Sequence, residues 1–521
     1  MKSDPSRALP LWAAVLAAAA GGAVLSAAFP ALGWWPLAIP GTALILWALL
    51  GRSVWASLLV GLVAGSSFYG IHVFWLTTYL GAVPWLALAG LESIFFALGS
   101  ALIALAWRFG LRMRRGIATR LVVLPVVLAG LWVLREAIVS VWPYGGFSWG
   151  RLAFSQSESP LGGLAAWIGA SGLSFVVALI AAVAVQTLRE FSILAPRRAL
   201  VFGIVVVAAF AMPAWPTQTS GSIRIAAVQG DSDAGLFSQR ERGEVLDDHL
   251  QATIPILDED VDLVVWPESA ADLNPLRYAR AAGVLDYVTG EFDAPMVVGT
   301  VTDDEIGRSF NSLLLWKQGE GAVAQYDKIH PVPFAEYLPN REFWYPFAPE
   351  LFDLVPRDYS FGVRPNVFDI EGVSRDQSFS TGLAICFDIV DDALIRQMVD
   401  GGAELILAPT NNADFGQSQE SVQQLAIARL RAIEYGRSVV NISTVGTSAI
   451  IAPDGSTLAS LPTFEPGAMV EEVPLSTVVT PASVAGRWIE WFVSALGLGG
   501  LAAIALQVLR AQRPIGRASR G

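Results

Sequence analysis

Cys386 is the only cysteine of the 521-residue chain. It closes the apolar run Leu383-Ala384-Ile385 and precedes Phe387-Asp388, so its thiol is expected where a strand leaves the core. One thiol cannot form an internal disulfide; it is either a small core hydrophobe or a nucleophile. A nucleophilic role needs help. A thiol with a pKa of about 8.5 is only a few per cent ionised at neutral pH and requires a base or a nearby cation. Two other segments offer them. In Val264-Val265-Trp266-Pro267-Glu268-Ser269 a strand stops at a proline, which keeps Trp266 extended and leaves the Glu268 carboxylate at a sheet edge. In the stretch from Tyr326 to Pro339, three prolines stiffen a loop that carries Lys328, His330 and Glu336 among aromatic residues. Glu268 as base, Lys328 as cation and Cys386 as nucleophile are the parts of a cysteine enzyme. Taken singly, the first segment also reads as a solvated loop residue and the second as a Pro-rich surface connection.

The elements that would position these residues lie in one block of the chain. Residues 215–487 hold 40 of the 46 acidic residues, and with 17 basic ones carry a net −23; the rest carries +11. Within residues 222–475, short β-branched runs alternate with helical patterns, which points to an α/β domain with layered sheets. The runs are Ile223–Val228, Leu263–Trp266, Met296–Val301, Ser312–Trp316, Gly382–Cys386, Leu405–Ala408, Val439–Ser443 and Ser448–Ile451. Helices are expected near 238–257, 275–290, 389–399 and 419–436.

Around this block the chain is membrane-like, with 54% hydrophobic residues and a mean hydropathy of +0.51. Apolar stretches near the roughly 20 residues that cross a bilayer fall at about 9–29, 34–51, 54–79, 83–107, 118–139, 163–187, 198–214 and 488–509. The expected organisation is a seven-span bundle over 1–214, a catalytic domain over 215–487, and a final span with a basic tail over 488–521. Pro36 and Pro40 interrupt the second stretch, which is expected to tilt, break or only dip into the bilayer. The first is alternatively a signal peptide with small residues near Ser26-Ala27-Ala28. Lys2, Arg7, Arg52, Arg108, Arg112, Arg114, Arg115, Arg120, Arg189, Arg197, Arg198, Arg510, Arg513, Arg517 and Arg520 fall in every second loop. Basic loops stay in the cytoplasm, so the acidic domain is expected on the extracytoplasmic side.

Trp266-Pro267-Glu268-Ser269, the Lys328 to Pro339 loop and Ile385-Cys386-Phe387 resemble the motifs of the nitrilase superfamily. Flanked by seven spans before and one after, they are similar to its membrane-embedded branch, the apolipoprotein N-acyltransferases. Gly146-Phe147-Ser148-Trp149, Phe154-Ser155-Gln156, Pro160-Leu161, Phe68-Tyr69 and Phe74-Trp75-Leu76 carry the resemblance in the membrane part, and Pro409 to Phe415 and Arg431 to Arg437 carry it downstream. It implies an αββα sandwich with Glu268 as base, Lys328 as catalytic lysine, Cys386 as nucleophile, Glu336 as a supporting second glutamate and Trp266 beside the base. The Phe387 N–H would join Lys328 at the oxyanion. Phe387 and Asp388 stand where the branch commonly has Tyr and Glu. The implied reaction moves an acyl chain from a membrane phospholipid, through a thioester on Cys386, to the N-terminal amine of an apolipoprotein's diacylglyceryl-cysteine. It would take place in a bacterial inner membrane with no metal, nucleotide or other cofactor.

Two other readings stay open: a tethered nitrilase-type amidohydrolase in which water resolves the thioester, and a transporter with an outer ligand-binding domain. Few charged residues and no sign of inverted repeats in the spans count against the transporter. The segment Arg341 to Phe347, with Phe343 and Trp344, reads either as a lid touching lipid over the site or as packing inside the domain. Glu92 and Glu136 lie within expected spans, Glu136 beside Arg135 as an ion pair. His72, His249 and His330 lack metal-ligand spacing, and no phosphate-cradling glycine motif or basic nucleic-acid surface is present.

Overall fold

A computed structural model of the chain describes residues 8–113, 119–189, 196–232, 240–354, 357–371 and 378–512. Lys2, Arg7, Arg114, Arg115, Arg513, Arg517 and Arg520 of the basic loops lie outside the described residues. The apolar stretches form α1 (Leu11–Ser26), α2 (Ala38–Ala48), α3 (Val54–His72), α4 (Ala82–Gly110), α5 (Leu124–Val139), α6 (Ala165–Arg189) and α7 (Pro196–Phe210). Five of the described helical segments are long and apolar enough to cross a membrane: Val54–His72, Ala82–Gly110, Leu121–Val139, Gly162–Arg189 and Pro481–Gln512. The two prolines act on α2 as their chemistry requires. Pro36 sits in the one-turn helix Trp35–Leu37 ahead of α2, and α2 itself has only 11 residues. Its rise of about 17 Å is roughly half of a ~30 Å hydrocarbon layer.

Small residues let the bundle helices approach closely. A Cβ at Gly22 of α1 would come within 2.9 Å of the Phe68 amide in α3, and one at Gly130 of α5 within 2.7 Å of the Gly497 amide in the last helix. Arg135 and Glu136 pair inside the bundle at 3.3 Å, with Trp132 donating its indole N–H to Glu136 at 2.8 Å.

The block between the spans folds into two six-stranded sheets packed face to face. The first has the order β12-β1-β2-β3-β4-β5, with β1 (Gly221–Gln229), β2 (Leu263–Val265), β3 (Met296–Asp303), β4 (Ser309–Lys317), β5 (Gly321–Asp327) and β12 (Gly467–Leu475). The second has the order β11-β10-β9-β8-β7-β6, with β6 (Val367–Glu371), β7 (Ser378–Leu383), β8 (Leu405–Thr410), β9 (Ser438–Ser443), β10 (Ala449–Ile451) and β11 (Thr457–Ser460). In each sheet two adjacent pairings, β1–β2 with β2–β3 and β7–β8 with β8–β9, are parallel and the other three antiparallel. Side chains alternate across the pleat as a period of two demands. Ile223, Ile225 and Ala227 of β1 meet Phe379, Leu383 and Leu405 between the sheets, while Ala226 and Val228 face outward.

Helices α8 (Glu244–Thr253) and α9 (Ala279–Phe292) cover the outer face of the first sheet. Helices α10 (Asp392–Asp400) and α11 (Glu420–Tyr435) cover the second, which completes the expected αββα order. After β12 comes α12 (Pro481–Gln512), which packs on α5 and α6. β7 stops at Leu383, short of the expected Cys386, and β5, β6, β11 and β12 are strands that the apolar runs did not announce.

The two halves of the αββα domain have different surroundings. α11 is buried on nearly all sides because the bundle packs against it from behind, in one apolar cluster that runs from Ala14 to Ile427 and Leu430. Its buried polar groups are paired across that boundary. Arg151 and Arg431 both bind Asp392, and Arg431 also binds Glu434 at 2.6 Å. The other Glu434 oxygen accepts the Ala170 N–H at 2.9 Å; that amide is free because Gly169, at a φ of +69°, kinks α6 and leaves a helix-start N–H without an intrahelical acceptor.

Candidate active site

Four strand ends meet in one corner of the sandwich. At the end of β2, Pro267 and Glu268 turn out of the sheet through Ser269, whose φ of +57° lies in the left-handed region. Gly299 on the neighbouring β3 makes this turn possible, since a Cβ there would sit 2.6 Å from the Glu268 Cα. Gly299→Ala is therefore expected to shift Glu268 and to lower activity by about 10-fold or more, with the fold retained. Wild-type activity in a folded Gly299→Ala protein would show that the turn need not be so tight.

Glu268 is almost fully buried, and both of its oxygens are held: the Asn311 amide donates to one at 2.6 Å and the Asn411 N–H to the other at 2.8 Å. Asn311, on β4, ties the corner together. Its side-chain amide also donates to Glu336 at 3.0 Å, and its carbonyl accepts the Lys328 N–H at 2.8 Å. Lys328 follows β5 and is buried, its ammonium 2.9 Å from Glu336. Glu336 accepts in addition the Val332 N–H at 2.6 Å, which closes the proline-stiffened loop over the lysine.

Cys386 follows β7 at a φ of +52° and begins the short helix Cys386–Val390. A side-chain-bearing residue in that region stores roughly 1–3 kcal/mol of strain, which the surroundings must hold. Asp388 holds it. Its buried carboxylate accepts the Ile385 N–H and the Tyr326 hydroxyl, both at 3.1 Å, so the shorter Asp serves the turn itself. Phe387 points the other way and lies parallel to Trp149 and Phe147 of the bundle, ring centroids 6.0 Å apart in each case.

Glu268, Lys328 and Cys386 act on one another electrostatically, and the Thr410 hydroxyl works to favour the thiolate. Burial pushes the Cys386 thiol well up, the Glu268 charge adds to this and Lys328 opposes it, so the resting group is a neutral thiol. Burial likewise raises the Glu268 carboxyl against the pull of Lys328, with Glu336 adding. For Lys328 burial works against the ammonium, but Glu336 first of all, with Asp388 and Glu268, outweighs it and keeps the charge. Asp388 is pushed up to about 7, by burial first.

The other expected residues lie elsewhere. Trp266 faces outward, donating its indole N–H to Thr253 at 3.2 Å in the core under α8, so it carries the Glu268 turn through its backbone and lines nothing in the corner. Trp344 donates to the Tyr144 hydroxyl of the bundle at 3.0 Å, while Phe343 and Phe347 are exposed. His330 binds Asp391 at 2.9 Å near the surface. Asn311 and Glu420 are corner residues that lie outside every motif named in the sequence, while Tyr326, Thr410 and Asn411 lie within named segments that assign them no role. For Asn311 the signal was a polar amide opening an apolar strand; for Glu420 there was none. Among the described residues no group of three or more His, Cys, Asp or Glu gathers as a metal site.

Residues 21–183 match the apolipoprotein N-acyltransferase N-terminal domain, and residues 224–480 match the carbon-nitrogen hydrolase family. Relatives match across nearly the full length. An apolipoprotein N-acyltransferase of Mycolicibacterium smegmatis is 32% identical over 96% of this chain and 86% of its own. Those of Photobacterium profundum and Pseudomonas putida are 27% and 28% identical, over 92% and 94% of this chain and 93% and 96% of theirs. With a hydrolase half and a membrane half in the same order as in these relatives, the chain belongs to the apolipoprotein N-acyltransferase family, within the nitrilase superfamily.

Proposed function

We propose that the chain moves an acyl group from a membrane phospholipid to the N-terminal amine of a lipoprotein's diacylglyceryl-cysteine, with Cys386 as the carrier. The observation that supports this reading is the stack of Phe387, the residue after Cys386, on Trp149 and Phe147, which ties the turn carrying the thiol to the bundle that would present lipid-anchored substrates. Glu268 takes the thiol proton as the sulfur attacks the ester carbonyl; a neutral resting thiol makes this base obligatory. The Lys328 ammonium and the Phe387 N–H stabilise the oxyanion, Glu268 returns its proton to the departing lysophospholipid, and a thioester remains. The amine then attacks the thioester, giving an amide and free thiol. The exposed aromatic rings of Phe343 and Phe347 suit contact with lipid.

Domain limits of 1–214, 215–487 and 488–521, eight spans, a bacterial inner membrane and an extracytoplasmic hydrolase half complete the reading, supported by the alternating basic loops. Intact-mass analysis after incubation with a defined phospholipid tests it: a gain of one acyl chain on Cys386 is expected, and release of free fatty acid alone would favour the amidohydrolase. The rate of thioester formation is also expected to fall as pH drops through a Glu268 pKa above the ordinary 4.5, because the protonated carboxyl can accept nothing. A rate constant from pH 4 to 8 would remove Glu268 as base.

A further inference from the structure

Glu420 opens α11 and is only 3% exposed. Its Oε2 has no hydrogen-bond partner among the described residues, a costly state for a buried carboxylate and a sign that its partner arrives from elsewhere. It faces the corner. One helical turn along the same face, Gln424 accepts from the Thr410 hydroxyl at 3.2 Å, and Thr410 also acts on the Cys386 thiol. Glu420 itself acts on both Cys386 and Glu268. Glu268 has both oxygens engaged by Asn311 and Asn411, so the two carboxylates are not equivalent.

The second half of the reaction needs a second base. An α-amine has a pKa of about 8 and arrives largely as ammonium, which has no lone pair to attack with. Two protons must leave that nitrogen, and Glu268 receives one of them only to return it to the departing sulfur. We propose that Glu420 accepts the first proton of the incoming α-ammonium, a role that rests on the acyl-transfer reading above. The ammonium passes one proton to Glu420, and the free amine forms the C–N bond at the thioester carbonyl. Glu268 takes the second proton from nitrogen in the tetrahedral intermediate. The C–S bond then breaks, the sulfur recovers that proton from Glu268, and Glu420 sheds its own to water. Burial, with the Glu268 charge adding to it, pushes the Glu420 carboxyl up to about 8, close to the amine it would serve. The ionisable groups bearing on it are Glu268 from the end of β2 and Cys386 from the end of β7; Lys328 bears on both of these from the end of β5.

The test separates the half-reactions in the full-length protein in detergent. Thioester formation is read by intact mass after phospholipid, and transfer by adding a diacylglyceryl-cysteine peptide to the preformed acyl-enzyme. Glu420→Gln is expected to gain the same acyl mass no more slowly than wild type, since losing that charge eases deprotonation of the thiol, and to transfer about 100-fold more slowly. The deficit should shrink as pH rises above 8, where the amine arrives unprotonated, and Glu420→Asp should recover part of the rate. Unchanged transfer in Glu420→Gln would overturn the proposal, as would an equal loss in both half-reactions, which would make Glu420 a support for the thiol. Should the Gln variant fail to fold, Glu420→Asp carries the same comparison, with slowing confined to transfer as the expected result. A wild-type protein that never gains the acyl mass sinks the underlying reading, and this inference with it.

Discussion

Cys386→Ala is expected to eliminate the acyl mass gain and to lower transfer by a factor on the order of 10⁶, the scale on which a catalytic set acting as a unit loses its nucleophile. No substitute exists, since the chain has no other thiol. Glu268 could then activate only water, which hydrolyses the donor without acylating a peptide. The sulfur is one partly buried atom at the rim of the inter-sheet core, so its loss should change stability by no more than about 1 kcal/mol. That combination, inactive and folded, is what separates a nucleophile from a core hydrophobe. N-acylated peptide from a folded Cys386→Ala protein would refute the thioester route.

Lys328→Met is expected to act twice, once on the reaction and once on the fold. Losing the ammonium beside the thiol should cost about 10²–10³ in the rate of thioester formation, as for other oxyanion donors. It also strands Glu336, whose carboxylate faces Lys328 at 2.9 Å in a buried loop, and breaking a buried pair from one side costs about 3–5 kcal/mol. Adding Glu336→Gln removes the stranded charge and should return part of the stability but none of the rate. Thermal midpoints and single-turnover acylation of the two variants measure both effects. A Lys328→Met protein acylated at the wild-type rate would take Lys328 out of the chemistry.

What the chain disclosed in advance, and what it hid, follows from burial. The eight apolar runs, such as Val264 and Val265 or Leu405 to Ala408, became the inner strands of the two sheets, where both faces are covered and every position favours an apolar residue. The strands that escaped notice, β5, β6, β11 and β12, are the four sheet edges. There Gln325, Asp369, Glu371, Glu471 and Glu472 break the apolar run, as edge strands use charge to discourage stray pairing. The corner divides likewise. Glu268, Lys328 and Cys386 stand beside prolines or strand ends that punctuate the sequence. Asn311 joins Glu268 to Glu336 only once β4 lies between β3 and β5, and Glu420 nears the thiol only when α11 is laid across the second sheet. Trp266 misled for the opposite reason: its neighbour Glu268 faces the corner, but the pleat and the turn send the indole outward.

The lopsided seating of the hydrolase half has a practical meaning. The Cys386 side is walled in by α11 and the bundle behind it, while Glu268 and Lys328 are carried on a sheet whose outer helices face away from the bundle. Severing the chain at its linkers would lay bare an apolar wall, take Arg151 away from Asp392 and remove the Ala170 N–H from Glu434. Free-living amidase-like behaviour is thus not recoverable from this protein by truncation, and a solubiliser that pries the helices apart will disable the sulfur before it disturbs the carboxylate.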